Sequence, residues 1–382
     1  MSKFLFVVPP VAGHVNPAGA VARALADQGH DVAWAGPETT LRRMLGDETV
    51  MIYGTGMRPY RGQRDRGLRA IKSVWEGFLM PYARFTLPAV EKAVLAFEPD
   101  VVVVDQVAPA GAVAAHRHGV RWASLAPQML ELSRPFRHLP KVDAWIRTTA
   151  ASLSADGPDD PRFSPYLQIL LTTRELFGHE ELPEHTVLVG PVLTGRPEPD
   201  FPWEALDGTK HQVVVTMGTL ADDLAREFYP RMAGALRMLG DRVQAIVTAP
   251  PDAVPDPPPQ TIVAPRVPFL ALMSRLSAAV CHGGMNTVSE MLAHGVPLVI
   301  APIKHDQPMV ANRVAAAGAG VRVRFGRSSA EELRDALATV LDDPAYRTAA
   351  TGLASSFTEA GGAPAAATHL IALATSGATS DR

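Results

Sequence analysis

Cys281-His282-Gly283-Gly284-Met285-Asn286-Thr287-Val288-Ser289-Glu290 leads out of a short apolar segment, Ser277 to Cys281, across two glycines and into a helical pattern. Val288, Met291 and Leu292 share one helical face before Gly295. The glycines therefore fall at a strand-to-helix junction. Backbone N–H groups and the positive end of a helix dipole favour an anion there, and residues without a Cβ let the backbone approach it closely. His282 would stand beside that anion as a donor. Asn286 and Thr287 could add first-turn hydrogen bonds, and Glu290, one turn on, could accept from ribose hydroxyls as an acidic residue does in dinucleotide folds. The same letters also fit a tight turn with His282 as a core residue.

The rest of the chain repeats this alternation. Phe4 to Val8 is a continuous apolar run of the kind a parallel strand buried on both faces shows. Asn16-Pro17 reads as an N-cap with proline at the first helical position, Gly29 closes that helix, and Asp31 to Ala35 begins the next strand. Further strands are expected at Val101 to Val104, Arg121 to Leu125, Gln168 to Thr172 and Thr186 to Val189, with an alanine-rich helix at about 110–118. A second series follows: Gln212 to Thr216, a helix ending at Gly240, Val243 to Thr248, Thr261 to Val263, Ala278 to Cys281 and Pro297 to Ala301. The fold class expected is α/β, with two Rossmann-like, doubly wound parallel-sheet domains facing each other across a cleft. The proline- and acid-rich stretch Arg196-Pro197-Glu198-Pro199-Asp200 marks a linker at 196–202. It divides an N-terminal domain (1–195) from a C-terminal domain (203–360), and a C-terminal helix at 361–382 is expected to pack back on the N-terminal domain.

Composition narrows the partners. With 382 residues, 47% of them hydrophobic and 20% charged, the chain is long enough for two cores. A net charge of -3 and a pI near 6.5 give no reason to expect nucleic acid or an anionic membrane. One cysteine excludes an internal disulfide framework and a cysteine-rich zinc site, which fits a reducing cytoplasm. No apolar run reaches the length of a membrane span. A cytoplasmic protein acting on small molecules is expected.

Open α/β sheets bind ligands outside the carboxyl ends of their strands. His14 follows the first strand, Asp105 ends the four-valine strand, and Gly218-Thr219 ends the first strand of the second series. His282 ends another, and Asp306-Gln307 follows Leu298 to Ala301. Residues that carry chemistry therefore collect at the strand ends.

These residues resemble the inverting nucleotide-sugar glycosyltransferases of the GT-B fold, the family of plant secondary-product, antibiotic and macrolide glycosyltransferases. The likeness rests on Gly13-His14-Val15-Asn16-Pro17, Pro99-Asp100 through Asp105, Gly190-Pro191 and Met217-Gly218-Thr219. His282-Gly283-Gly284 with Asn286-Thr287, Glu290, Gly295-Val296-Pro297 and Asp306-Gln307 complete it. The resemblance implies that His14 is the general base that deprotonates an acceptor hydroxyl and that Asp105 orients and stabilises it. Such a pair is worth on the order of a hundred- to ten-thousandfold in rate. It implies a UDP- or dTDP-sugar held by Gly218, Thr219, Arg266, Val267, His282, Gly283, Gly284, Asn286, Thr287 and Glu290. Asp306 and Gln307 would contact the sugar.

No cofactor beyond that co-substrate is expected, and no metal, because no Asp-x-Asp motif or histidine cluster at ligand spacing is present. Arg266-Val267-Pro268-Phe269 stands where plant members have Trp-x-Pro-Gln, so the choice between uracil and thymine stays open. Trp75, Phe78, Met80, Met129 and Phe136 are the candidates to line a pocket for a hydrophobic acceptor, and the same stripes also fit plain core. Arg58, Arg61, Arg64, Arg66 and Arg69 read as a solvated loop. A GT-B sugar-nucleotide epimerase and an inactive nucleotide-binding paralogue are the alternatives, and a homodimer is left open. A dehydrogenase is not suggested, since no Gly-x-Gly-x-x-Gly follows the first strand.

Overall fold

A computed structural model describes residues 1–46, 49–56, 68–127, 139–193, 199–218, 225–254 and 256–377. The chain divides into two compact units. The described residues of 1–56, 68–193 and 359–377 form the first, and those of 199–358 form the second.

The first unit is built on seven parallel strands: β1 (Lys3–Val7), β2 (Asp31–Gly36), β3 (Met51–Gly54), β4 (Val101–Asp105), β5 (Arg121–Ala126), β6 (Leu167–Leu170) and β7 (Thr186–Leu188). Their order is β3-β2-β1-β4-β5-β6-β7. Phe4, Leu5 and Phe6 of β1 and Val101 to Val104 of β4 are fully buried, because helices cover both faces. Val7 pairs with Val104, which brings the ends of β1 and β4 side by side. The strand order reverses between these two strands, and a crevice opens at their carboxyl ends in sheets of this kind. The helix Gly362–Gly377 belongs to this unit. It lies against the helix Ala12–Ala26 and against β4, β5 and β6, burying Ala366, Ala367 and Leu370 in the core of Phe4, Phe6 and Val101.

The second unit carries β8 (His211–Thr216), β9 (Val243–Thr248), β10 (Ile262–Ala264), β11 (Ala278–Cys281), β12 (Leu298–Ile300) and β13 (Gly320–Arg322), again all parallel. The order β10-β9-β8-β11-β12-β13 reproduces the first unit's winding, with the reversal now between β8 and β11. Its core joins Val213, Val215, Ala278, Val280 and Val299 to Phe228 and Phe325, whose rings stack at 5.6 Å. Ser329 caps the helix Ala330–Asp342 by accepting the Glu332 N–H at 3.2 Å. Two parallel-sheet α/β units are thus present, as the alternation of apolar runs and helical patterns predicts. No helix among the described residues is long and apolar enough to cross a membrane.

Two local expectations are corrected. The first helix begins at Ala12 rather than at Pro17, so Asn16 is not its N-cap and Pro17 lies inside it. The carbonyl of Val11 accepts from both His14 and Val15 and starts the helix a turn earlier. β3 and β13 were not expected; both are short edge strands, and half-burial gives them no continuous apolar run. Of the basic run, Arg69 is exposed, and Arg58, Arg61, Arg64 and Arg66 lie outside the described residues.

Candidate active site

In the first unit, the turn out of β1 places His14 in the opening turn of the helix Ala12–Ala26, and Asp105 is the last residue of β4. Neighbouring strand ends bring the two together across 91 residues of sequence. His14 Nδ1 lies 2.7 Å from Asp105 Oδ2. Both are buried, at 6% and 1% exposure. Asp105 Oδ1 accepts the backbone N–H of Val107 at 3.0 Å, so one oxygen is anchored to the main chain and the other to the imidazole. A carboxylate held in this way fixes the ring's orientation and tautomer and stabilises the imidazolium once it forms.

In the second unit, Gly218 lies two residues beyond β8 and His282 one beyond β11, and Thr216 pairs with Cys281. The imidazole edge of His282 is consequently enclosed by two glycines. A Cβ on Gly218 would sit 2.7 Å from both Nε2 and Cε1, and a Cβ on Gly284 would sit 2.5 Å from Nε2. Gly218 and Gly283 have φ of 72° and 86°, which favours glycine at both. A Cβ on Gly283 would also meet Ile300 at 2.8 Å and the carbonyl of Gln307 at 3.2 Å. Burial pulls the His282 imidazole down to about 4, opposed by the nearby backbone of Thr216 and reinforced by the Lys304 charge. His282 is therefore a neutral donor or acceptor at pH 7.

Gly284 precedes the helix Met285–Ala293, and its carbonyl accepts the Val288 N–H at 3.0 Å. Asn286 and Thr287 are half-buried in the first turn, and Glu290 is buried on the same helix. Asp306 stands at the N-cap of the helix Gln307–Ala316, but its side chain makes no capping bond. Gln307 turns back instead, and its Oε1 accepts the backbone N–H groups of Ile303 and Lys304 at 2.8 and 2.9 Å. Arg266 is exposed and Val267 buried just beyond β10. Thr219 lies outside the described residues, as do Met129 and Phe136.

Of the aromatic and apolar candidates, Trp75, Phe78 and Met80 are 0%, 5% and 2% exposed. They pack with Ile71, Leu79, Tyr82, Ile146 and Ala150 as a satellite core around a π-helical turn, Trp75–Leu79. Their packing fits the plain-core reading of these stripes. Nearby, a cavity of about 10 Å³ bordered by Val7, Thr55, Tyr82, Thr86 and Ala108 has room for about one water. Burial pushes the Tyr82 phenol up to about 12. The thiol of the buried Cys281 is likewise pushed up to about 12, so it is inert.

Sequence reasoning passed over Lys304 and His305. Lys304 is 3% exposed, and burial lowers its pKa. His305 is brought down to about 4 by burial and by the Lys304 charge. The signal was available, for two basic residues sit directly before Asp306-Gln307 in a strand-to-helix loop. Among the described residues, no group of three or more His, Cys, Asp or Glu side chains is placed to hold a metal ion.

Residues 194–360 match the family model described as UDP-glucoronosyl and UDP-glucosyl transferase. The chain is 29% identical to 4'-demethylrebeccamycin synthase of Lentzea aerocolonigenes, over 92% of this chain and 94% of that protein. It is 26% identical to the NDP-glycosyltransferase YjiC of Bacillus subtilis, over 95% of each. Its fold is similar to that of the spinosyn rhamnosyltransferase SpnG complexed with thymidine diphosphate. The TM-score is 0.76 at 22% identity, over 97% of this chain and all of that one.

Proposed function

From the premise that the chain is a glycosyltransferase of the GT-B fold, we propose that it transfers a sugar from a UDP- or dTDP-sugar to a hydroxyl of a hydrophobic natural-product acceptor. The transfer inverts the anomeric centre and needs no metal. The buried His14–Asp105 contact of 2.7 Å carries this reading. With Nδ1 engaged by Asp105, Nε2 is the nitrogen that takes the acceptor's proton. The hydroxyl oxygen then attacks the anomeric carbon as the bond to the diphosphate oxygen breaks, and that oxygen leaves with the electron pair. Asp105 stabilises the imidazolium, which lowers the cost of removing a proton from a weakly acidic alcohol.

The leaving diphosphate gains charge in the transition state. The glycine turn around His282 and the first-turn amides of the helix Met285–Ala293 are fixed dipoles suited to receive it. Glu290 and Arg266–Val267 would take the nucleoside, and Asp306 the sugar hydroxyls, with Gln307 positioning the loop that carries Asp306. An epimerase would have no use for the His14–Asp105 pair, and nothing favours an inactive paralogue that retains it.

The test is incubation with dTDP- and UDP-sugars and a panel of hydrophobic aglycones in EDTA, with products read by mass spectrometry and anomeric coupling constants. Acceptor-plus-sugar masses of inverted configuration, absent with His14→Ala, are expected. Retained configuration, or dependence on added metal, would overturn the mechanism. A failure to bind either nucleoside diphosphate would overturn the reading itself.

A further inference from the structure

We propose that the small cavity at the carboxyl edge of the first unit's sheet is a hydroxyl-reading subsite for the acceptor, at which Thr55, Tyr82 and Thr86 select acceptors that carry a second hydroxyl group. The inference rests on the function proposed above.

The walls of the cavity fix its place in the fold. Val8 comes directly after β1, Thr55 directly after β3, and Ala108 three residues after β4. The Ala108 N–H donates to the carbonyl of Asp105 at 2.8 Å, and the Thr55 N–H to that of Gly36, the last residue of β2, at 3.0 Å. Four neighbouring strand ends therefore frame the cavity. They are the same edge of the sheet, at the reversal of strand order, that carries the His14–Asp105 contact. Tyr82 and Thr86 come from the helix Met80–Phe97, which the π-helical turn Trp75–Leu79 leads into, and such turns recur at functional sites.

Size and hydrogen bonding together define the guest. At about 10 Å³ the cavity takes one water-sized group, so a hydroxyl fits and a ring does not. Thr55, Tyr82 and Thr86 are 6%, 5% and 3% exposed. Thr86 Oγ1 donates to the carbonyl of Tyr82 at 3.0 Å, and Thr55 Oγ1 to that of Gly56 at 3.2 Å. A threonine hydroxyl has one proton, and with it given to the main chain only lone pairs are left for a guest. The guest must therefore donate. A methyl, ether or carbonyl group of similar size would leave these buried acceptors unpaired, which is the costly outcome. The Tyr82 phenol can donate as well as accept, so it can complete a bond to the guest's oxygen. Water meets the same demand, and an acceptor hydroxyl replaces it bond for bond.

The experiment measures kcat/KM of the full-length protein for three pairs of aglycones whose members differ by one hydroxyl: quercetin with kaempferol, genistein with daidzein, and emodin with chrysophanol. Wild-type protein is expected to prefer the more hydroxylated member of at least one pair by roughly tenfold or more. Thr86→Val and Tyr82→Phe should bring that ratio to within about threefold of unity by lowering the value for the more hydroxylated member. Thr86→Ser, which keeps the hydroxyl, should keep the preference. Thermal melts check folding, and Thr55→Val provides the reading should Thr86→Val not fold. A wild-type enzyme that distinguishes no pair would mean that the cavity holds water only. That result, a preference unchanged in the variants, or an equal fall for both members of a pair would overturn the proposal while leaving the glycosyltransferase reading intact. Wild-type protein that glycosylates none of the six would overturn both.

Discussion

The imidazole of His282 lies so close to Gly218 that a single added methyl group on that glycine would stand 2.7 Å from its Nε2. The first strand of the second unit thereby sets the position of a side chain that follows the fourth. Gly218→Ala should strain a backbone at φ 72° and displace His282 together. We expect a stability loss of about 1–2 kcal/mol from the backbone alone. Nucleoside diphosphate affinity should fall by at least roughly tenfold, about 1.4 kcal/mol. Urea unfolding and calorimetric titration check the two effects separately.

In the proposed mechanism Asp105 acts through His14, so its replacement should change rate more than binding. Asp105→Asn is expected to lower kcat by on the order of 10² to 10⁴ with KM for both substrates nearly unchanged. Steady-state kinetics on the folded variant decide it. A rise in KM with kcat preserved would instead mark Asp105 as a purely structural strand-end residue.

His282 and His305 both have pKa values brought down by burial, each to about 4. The unfolded chain therefore binds more protons than the folded one between pH 6.5 and 4. Stability contributed by these neutral imidazoles is fully present above about pH 7 and is lost as pH falls through that window. The upper bound is about 3 kcal/mol for each ring, reduced by the solvent contact each retains. Urea midpoints from pH 8 to 4 should stay flat and then decline, and His305→Asn should shallow the decline. A midpoint that rises as pH falls from 6.5 would contradict the buried neutral state.

Arg347 reaches from the helix Pro344–Glu359 to three main-chain carbonyls, that of Gly295 beyond the helix Met285–Ala293 at 2.8 Å and those of Leu276 and Ser277 ahead of β11 at 2.8 and 2.6 Å. Arg347→Met leaves these acceptors without their cationic donor and should cost about 2–3 kcal/mol. A thermal melt reads this directly. Nucleotide affinity measured well below the transition should change little, because these carbonyls lie before β11 and after the helix Met285–Ala293, at the ends of both elements away from the glycine turn.

The parts legible from sequence share one property. β1, β4, β8 and β11 are buried on both faces, so each appears as an unbroken apolar run. β3 and β13 lie at sheet edges and show no such run. The start of the first helix was misjudged because Asn16-Pro17 is a good local signal, and the contacts that begin the helix at Ala12 come from the carbonyl of Val11. Trp75, Phe78 and Met80 show the same limit from the other side. An apolar stripe reads alike whether it faces a ligand or, as here, Ile146 and Ala150.

The sequence by itself determined the alternation of strand and helix, the two parallel sheets, and which residues able to do chemistry stand at strand ends. These follow from local periodicity and from glycines that only certain backbone shapes require. The tertiary structure decided which of them meet. Parallel crossovers set strand ends side by side that are about ninety residues apart in the chain. Only that packing puts His14 against Asp105 and His282 against Gly218, because such distances are a property of sheet order and leave no trace in local spacing.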